Sequence, residues 1–479
     1  MVSVGTNIEI PLWSDLKTLI DGNPKFTYDH AIANDVNQLL ISVRQSNDIT
    51  YFTWIDTGTS DYTDYINNYA AGASRGVDSA INVTTTFADS FNLDAFSRLR
   101  TGQPHSLFDS VQIYDDQPLF WENIITGGAS ATYNYNISST RLACTTASGD
   151  KVIRQTREYF KYQPGKSLRI AMTGLVGEAK SGVVKRLGYY DDGNGVFFEQ
   201  TSTGGLFLVR RTNTSGSVTE TRVPQSEWNV DTLDGNGKTQ VTLDITKAQI
   251  FLMDVQWLGV GRVRMGFSID GAFYYAHQFF HANLISEVYM RAANLPLRYE
   301  LENTSTTDGT AYMDHICVSV ESEGGYNPKG VTRIASTGVT HRTVGAAYVP
   351  IIAIRLKSNY NRAHILPVSF KGYNESNTLV HMELLHDVTL TGASWVSLDP
   401  HSIAEYDVSA TAFSGGEVLD DMFVSSQGAD RNQLAADIPE MLLKIVSNYA
   451  GTSQILALVG RSDGAASSVY GTMTFREVY

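Results

Sequence analysis

His381 and His386 bracket Glu383 in the segment HMELLH, and they are the first residues to weigh for chemistry. Two histidines four apart on one helical face, with a glutamate between them, can hold zinc and activate water. Here the spacing is five, and on a strand residues five apart point to opposite faces, so metal binding is not expected. Gly259-Val260-Gly261-Arg262-Val263-Arg264-Met265-Gly266 has the glycine content of a phosphate loop. Such a loop must open a helix after a strand, whereas a strand pattern follows here, so a strand-linking turn is expected instead. Asp191, Asp192, Asp231, Asp234 and Asp244 are numerous enough to suggest a calcium loop or a glycosidase carboxylate pair. The calcium pattern, with its glycine and distal glutamate, is not met from Asp231 to Gly237, and a carboxylate pair is defined by a distance. Turn chemistry is the expected use of these aspartates. No G-x-S-x-G elbow occurs, and neither cysteine has a catalytic setting. The expectation is therefore no catalytic residue, no cofactor and no metal: a chain that is not an enzyme, with glycan depolymerisation as the reaction that would contradict this.

Binding is the other chemistry to consider. Tyr62, Tyr65 and Tyr69, at spacings of three and four, could form a helical stripe within the polar stretch from Asp56 to Ala80. Tyrosine suits protein or sugar contact because it is rigid and carries a polar tip. The alternative is that these rings pack the segment against a neighbour. The stretch itself reads as a long functional loop or a hinge.

The elements around these residues read as strands. The chain has 479 residues, 40 Gly, 25 Tyr and 20 Phe with 18% charged residues, the composition of a turn-rich β protein. Ile250 to Leu258 alternates Phe251, Met253, Val255 and Trp257 with Ile250, Leu252, Asp254 and Gln256, which is the period of a strand with one face in a core. If Gly259 to Gly261 make the turn, Asp254 and Gln256 share a face with Arg262 and Arg264, and the polar side pairs across strands. Asp270-Gly271 then closes a second hairpin, giving an antiparallel meander from Ile250 to Phe280. Gly188 to Tyr190, Val196 to Glu199 and Leu206 to Arg211 repeat the pattern around Asp191–Gly195 and Thr203–Gly205. The fold expected is all-β: multidomain antiparallel β-sandwiches, with a jelly-roll-like sandwich at the centre.

Three units are expected. Residues 1–88 form a β-rich attachment unit with strands Gln38 to Arg44 and Ile49 to Ile55 and the polar loop. Residues 89–330 form the central sandwich. After the linker Gly324 to Gly330, residues 331–479 form a second sandwich, with strands Val349 to Leu356, His364 to Phe370, Leu379 to Leu385, Met441 to Val446, Gln454 to Val459 and Val469 to Arg476. Leu434 to Ala436 reads as a helical turn.

The formal net charge of −14 sets an unfavourable field for phosphate backbones, so nucleic acid is not an expected partner. Met1 to Ile20 has no apolar run, and no window approaches the ~20 apolar residues of a spanning helix, so neither a leader nor membrane insertion is expected. Cys144 and Cys317 are too few for a disulfide scaffold or a zinc site. Each is expected to be a small buried residue, with a bridge between them left open.

Several phrases occur together in one order: Ala95 to Arg100 (AFSRLR), Leu107 to Ser110 (LFDS), Trp121, Tyr162 to Lys166 (YQPGK), Trp228-Asn229, Trp257 to Arg264 (WLGVGRVR) and Asn294 to Glu300 (NLPLRYE). As a set, over Phe91 to Gly325, they resemble a family of virion structural proteins of tailed bacteriophages. The resemblance implies a structural component of the virion surface and carries no catalytic residue. It implies self-association, with a homotrimer expected, and contact with capsid or tail proteins. A capsid decoration or head-fibre protein is the first placement; a tail-fibre or baseplate protein binding a host receptor or surface glycan is the second.

Overall fold

The computed structural model describes residues 6–9, 12–21, 26–35, 38–45, 49–56, 59–68, 93–94, 104–325, 330–433 and 444–478. The chain divides into two compact units, Met1–Ala88 and Asp89–Tyr479.

In the first unit, strands Gln38–Gln45 and Ile49–Asp56 pair antiparallel, and Phe26–Asp35 adds beyond Gln38–Gln45. Thr6–Glu9 lies parallel to Ile49–Asp56, a pairing the strand pattern did not foretell. Its described residues also include the helices Trp13–Asp21 and Ser60–Asn68. The second lies inside the stretch read as a loop. Thr59 starts it, because its hydroxyl accepts the Tyr62 N–H (3.4 Å) as a helix N-cap does. Trp13, Leu16, Leu39, Ile41, Ile55 and Tyr65 form a small core.

The second unit is all-β, as expected, and contains two sandwiches with separate cores. In the first, an eight-stranded sheet runs Ala272–Phe279, Val263–Ile269, Ala248–Val255, Ser167–Leu175, Ala311–Glu323, Ser139–Cys144, Ser130–Asn134, with His105–Val111 also on Ala311–Glu323. It faces a seven-stranded sheet of Thr219–Pro224, Leu206–Thr212, Gly195–Gln200, Val183–Tyr190, Leu297–Asn303, Lys151–Thr156 and Trp121–Thr126. Inward residues at every second position, such as Ile170, Met172, Met253, Val255, Met265 and Phe267, fill the space between them.

The meander forms as the alternation requires. Asp254 lies opposite Arg264 in register, and Asp270 and Gly271 take the positive φ values (50° and 80°) of a tight hairpin. The polar side is buried as well as the apolar one. Arg264 bonds Asp254 at 2.9 Å and the Leu93 carbonyl at 2.7 Å, and its guanidinium lies 4.4 Å over the Tyr275 ring. Tyr275 also donates to Asp254.

The second sandwich packs a sheet of Val331–Ser336, Ser467–Val478, His364–Asn374 and Ala429–Gln433, with Arg342–Val344 on Ser467–Val478, against a six-stranded sheet. The latter contains Val396–Ser397, Ala404–Asp407, Val349–Leu356, Ile455–Ser462, Val380–His386 and Glu417–Val424. The strand expected at Met441 to Val446 is not formed over its described part. Ile445 makes only an isolated bridge to Ile365, and residues 441–443, like Leu434 to Ala436, lie outside the described residues. Cys144 and Cys317 are both free thiols, so the bridge left open is not made; Cys144 is buried and Cys317 half-buried.

Candidate functional site: a polar cleft between the two sandwiches

Side-chain contacts among the described residues dock the sandwiches. Lys444 pairs with Glu158 at 2.7 Å, Arg362 lies 4.0 Å over the Tyr159 ring, Asn294 donates to the Arg362 carbonyl, and Tyr449 donates to Asp192 at 2.8 Å. Between the last three opens a cleft of about 490 Å³.

Three turns position its walls. In the hairpin after Val183–Tyr190, the Asp191 carboxylate accepts the Gly193 and Asn194 N–H groups at 2.8 Å each, closing the turn and presenting Asp192 outward. Gly195 ends this turn at φ +136°, and a Cβ there would sit 2.2 Å from Tyr190 Cβ, so only glycine fits. Asn448 accepts the Thr452 N–H at 2.9 Å through its side chain and the Gly451 N–H at 2.9 Å through its carbonyl, which holds Tyr449 at the rim. The short helical turn Ser358–Tyr360 leads into Arg362, whose guanidinium donates to the Asn448 and Tyr449 carbonyls at 3.0 and 3.2 Å.

Arg298, from the central strand Leu297–Asn303, forms the floor. It is buried, donates to Gln155 through Nε (3.1 Å) and Nη2 (2.8 Å) and to Asp192 through Nη1 (2.6 Å). Its cation lies 5.1 Å from the Tyr190 ring centre and 5.6 Å from that of Tyr449. Burial works to raise the Asp192 carboxyl, but the Arg298 charge and hydrogen bond outweigh it and hold Asp192 below the usual carboxylate range. Burial and the same carboxylate push the Tyr449 hydroxyl up to about 12. At neutral pH the cleft thus holds an ionised carboxylate and a protonated phenol. The Asp192 side chain is 64% exposed, and each of its oxygens keeps a further lone pair for an incoming donor. Tyr360, Asn213, Asn361 and Arg291 add half-buried or exposed polar groups around it. A cleft of this kind can bind a neutral, hydroxyl-rich ligand: rings for its C–H faces, and amides, a guanidinium and a carboxylate for its hydroxyls.

The residues singled out from sequence fall elsewhere. Tyr65 is buried edge-on against Trp13, with ring centres 5.6 Å apart, and Tyr62 is half-buried against the same core. These two use their helical spacing for packing; Tyr69 lies outside the described residues. Asp231, Asp234 and Asp244 close turns, accepting N–H groups of Leu233, Asn236 and Thr246 at 2.8, 2.9 and 3.0 Å. His381 and His386 sit on strand Val380–His386, and among the described residues no group of three or more His, Cys, Asp or Glu side chains is placed to hold a metal. Nor, among those residues, is any helix long and apolar enough to cross a membrane.

The chain matches no family model and no curated protein. Among solved structures it is similar to a Crh5 transglycosylase in complex with NAG (15% identity, 46% of this chain and 87% of that one, TM-score 0.28). It is also similar to the Emp47p carbohydrate recognition domain (9% identity, 46% and 96%, TM-score 0.29). A third is a structure from work on endo-acting O-glycanases that human gut bacteria express to initiate mucin breakdown (11% identity, 45% and 99%, TM-score 0.32). A transglycosylase and O-glycanases stand among these matches, and the expectation that the chain is not an enzyme is withdrawn.

Proposed function

We propose that this chain is a glycan-binding protein of a tailed-phage particle that takes saccharide into the cleft between its two sandwiches. The cleft carries the proposal: an ionised Asp192 fixed on Arg298, rimmed by Tyr449 and Tyr360, with amides on the remaining walls. Such a site suits a ring with hydroxyls along its edge. Support for the particle comes from the phrases between Phe91 and Gly325. On that resemblance the chain is carried on the capsid as a homotrimeric decoration or head-fibre protein. Repetition over the particle would turn weak single sites into firm attachment to a host envelope.

Titration of the full chain with a panel of bacterial surface polysaccharides tests the site. Saturable binding is expected, weakened about tenfold or more in Asp192→Asn, since a hydrogen bond to a charged acceptor is lost. Tyr360→Ala should weaken it through loss of ring contact. Polymer size after incubation separates recognition from turnover in the same cleft, and binding to no polysaccharide would end the proposal. For placement, detection on tail-less heads is expected; recovery with tails alone would move the chain to the tail or baseplate.

A further inference from the structure

A neutral ring in the cleft between the sandwiches would use Asp192 and the amides and leave guanidinium groups unanswered. Three arginines line that cleft, Arg291, Arg298 and Arg362, against two aspartates, Asp191 and Asp192. The chain as a whole carries −14, so this cationic excess is local, and a concave site concentrates its field.

The pairings decide which charge is left over. Asp192 and Arg298 meet at 2.6 Å. Glu300, beneath the floor, lies 3.8 Å from Arg298 but is held closer by Arg186 at 2.6 Å and Lys151 at 3.0 Å. Arg362 bonds the carbonyls of Asn448 and Tyr449 and lies over the Tyr159 ring, and among the described residues it pairs with no carboxylate. Arg291 is exposed, and among the described residues its guanidinium has neither a hydrogen-bond nor an ion-pair partner. Its backbone is nevertheless fixed: Asn194 Oδ1 accepts the Arg291 N–H at 2.9 Å, which ties it to the same turn that presents Asp192. A planar fork of free N–H donors held at the edge of a sugar-sized cleft matches a carboxylate, which it can bind through two bonds at once.

We propose that the cleft selects an acidic saccharide, a uronic acid residue whose carboxylate pairs with Arg291 while its hydroxyls donate to Asp192. This rests on the reading of the cleft as a glycan site and adds the class of sugar it takes. The single charge of a uronate answers the one guanidinium in excess, and Arg362 on the opposite wall adds to the field that draws it in. Within the ring the carboxylate stands across from hydroxyls on the far edge, so a hydroxyl reaches Asp192 without bringing the two carboxylates together.

Isothermal titration of the full chain with polygalacturonate, alginate and hyaluronate, each beside its carboxyl-reduced, neutral form, tests this. At least one acidic polymer should bind, about tenfold or more tighter than its reduced form, and the gap should close as salt rises from about 50 to about 500 mM. Arg291→Gln changes an exposed side chain, so the fold should persist. It should weaken the acidic polymer about tenfold, and carboxyl reduction should then cost little more, because both changes remove the same contact. Equal affinity for acidic and reduced forms would overturn the acidic class and leave the cleft as a site for neutral sugar, provided Asp192→Asn still weakens binding. Losses from Arg291→Gln and from reduction that simply add, or binding to neutral polysaccharides alone, would overturn it in the same way. Binding to a phosphate polymer such as teichoic acid and to no uronate would overturn the carboxylate. Binding to no polysaccharide of either kind would take the reading of the cleft down with it.

Discussion

Lowering the pH from 7.5 to 5 should remove much of the stability of the Asp89–Tyr479 unit, through histidines buried in their neutral form. His277, whose Nδ1 accepts the Asn229 N–H at 3.2 Å, and His281, stacked on Tyr289 with ring centres 3.9 Å apart, are both buried. Burial lowers each from 6.5 to about 4, and lowers His364 to about 3. His315 is lowered well below the usual value by burial and by Arg154, whose Nε donates to it at 3.0 Å. Unfolded, these rings take up protons near pH 6.5; folded, they do so only further down. The stabilisation is therefore full above pH 6.5 and is lost as the pH falls towards 4 and below. At ~1.4 kcal/mol per pH unit, His277, His281 and His364 each lose about 2 kcal/mol by pH 5, roughly 6 kcal/mol together. That is a large part of the ~5–15 kcal/mol that holds an ordinary domain folded. Urea unfolding followed by tryptophan fluorescence at pH 7.5 and 5 measures it. The midpoint should fall steeply, and, with His315 contributing as a fourth ring, His364→Gln should reduce the pH dependence by about a quarter whatever it does to stability at pH 7.5. Equal midpoints at the two pH values would refute the reasoning. The buried carboxylate Glu300 does not confuse the result: burial opposes its ionisation, but Arg186, Lys151 and Arg298 hold it down at about 2, so its contribution is lost as the pH falls from 4.5 to about 2, below the range measured.

Other expectations follow from single sites. Asp254→Asn takes the charge from the buried Arg264 pair and should cost about 3–5 kcal/mol in chemical denaturation, whereas replacing both residues with apolar ones should recover most of it. Gly195→Ala should cost roughly 3 kcal/mol or more, because a Cβ would strike Tyr190; Gly216→Ala, at φ +85° with open space around it, should cost about 1 kcal/mol. Burial pushes the Cys144 thiol up to about 12, so a thiol reagent should titrate at most Cys317 promptly in the native chain and both thiols in urea.

Much of the fold was legible, and for local reasons. The hairpins around Asp191–Gly195 and Asp270-Gly271 announce themselves because a tight turn needs particular residues at adjacent positions. The Asp254 and Arg264 pairing could be read because it spans one short turn. The helix Ser60–Asn68 showed only as a tyrosine stripe within a stretch otherwise read as a loop or hinge, because its polar residues leave just two inward tyrosines to mark it, although Thr59 and Asp61 are ordinary helix-starting residues. The cleft was not legible at all. Asp192, Arg298, Arg362 and Tyr449 come from two sandwiches, and nothing in the spacing of such distant residues shows that the sandwiches dock there. Asp192 was visible only as one turn aspartate among several. Its neighbour Asp191 does the turn's work, which leaves Asp192 to the cleft.

The most direct test is a crystal structure of the full chain saturated with an oligosaccharide it binds in solution. Sugar density in the cleft, bonded to Asp192 and lying against Tyr360 or Tyr449, is the predicted result. A sugar-saturated chain with that cleft empty would contradict the account.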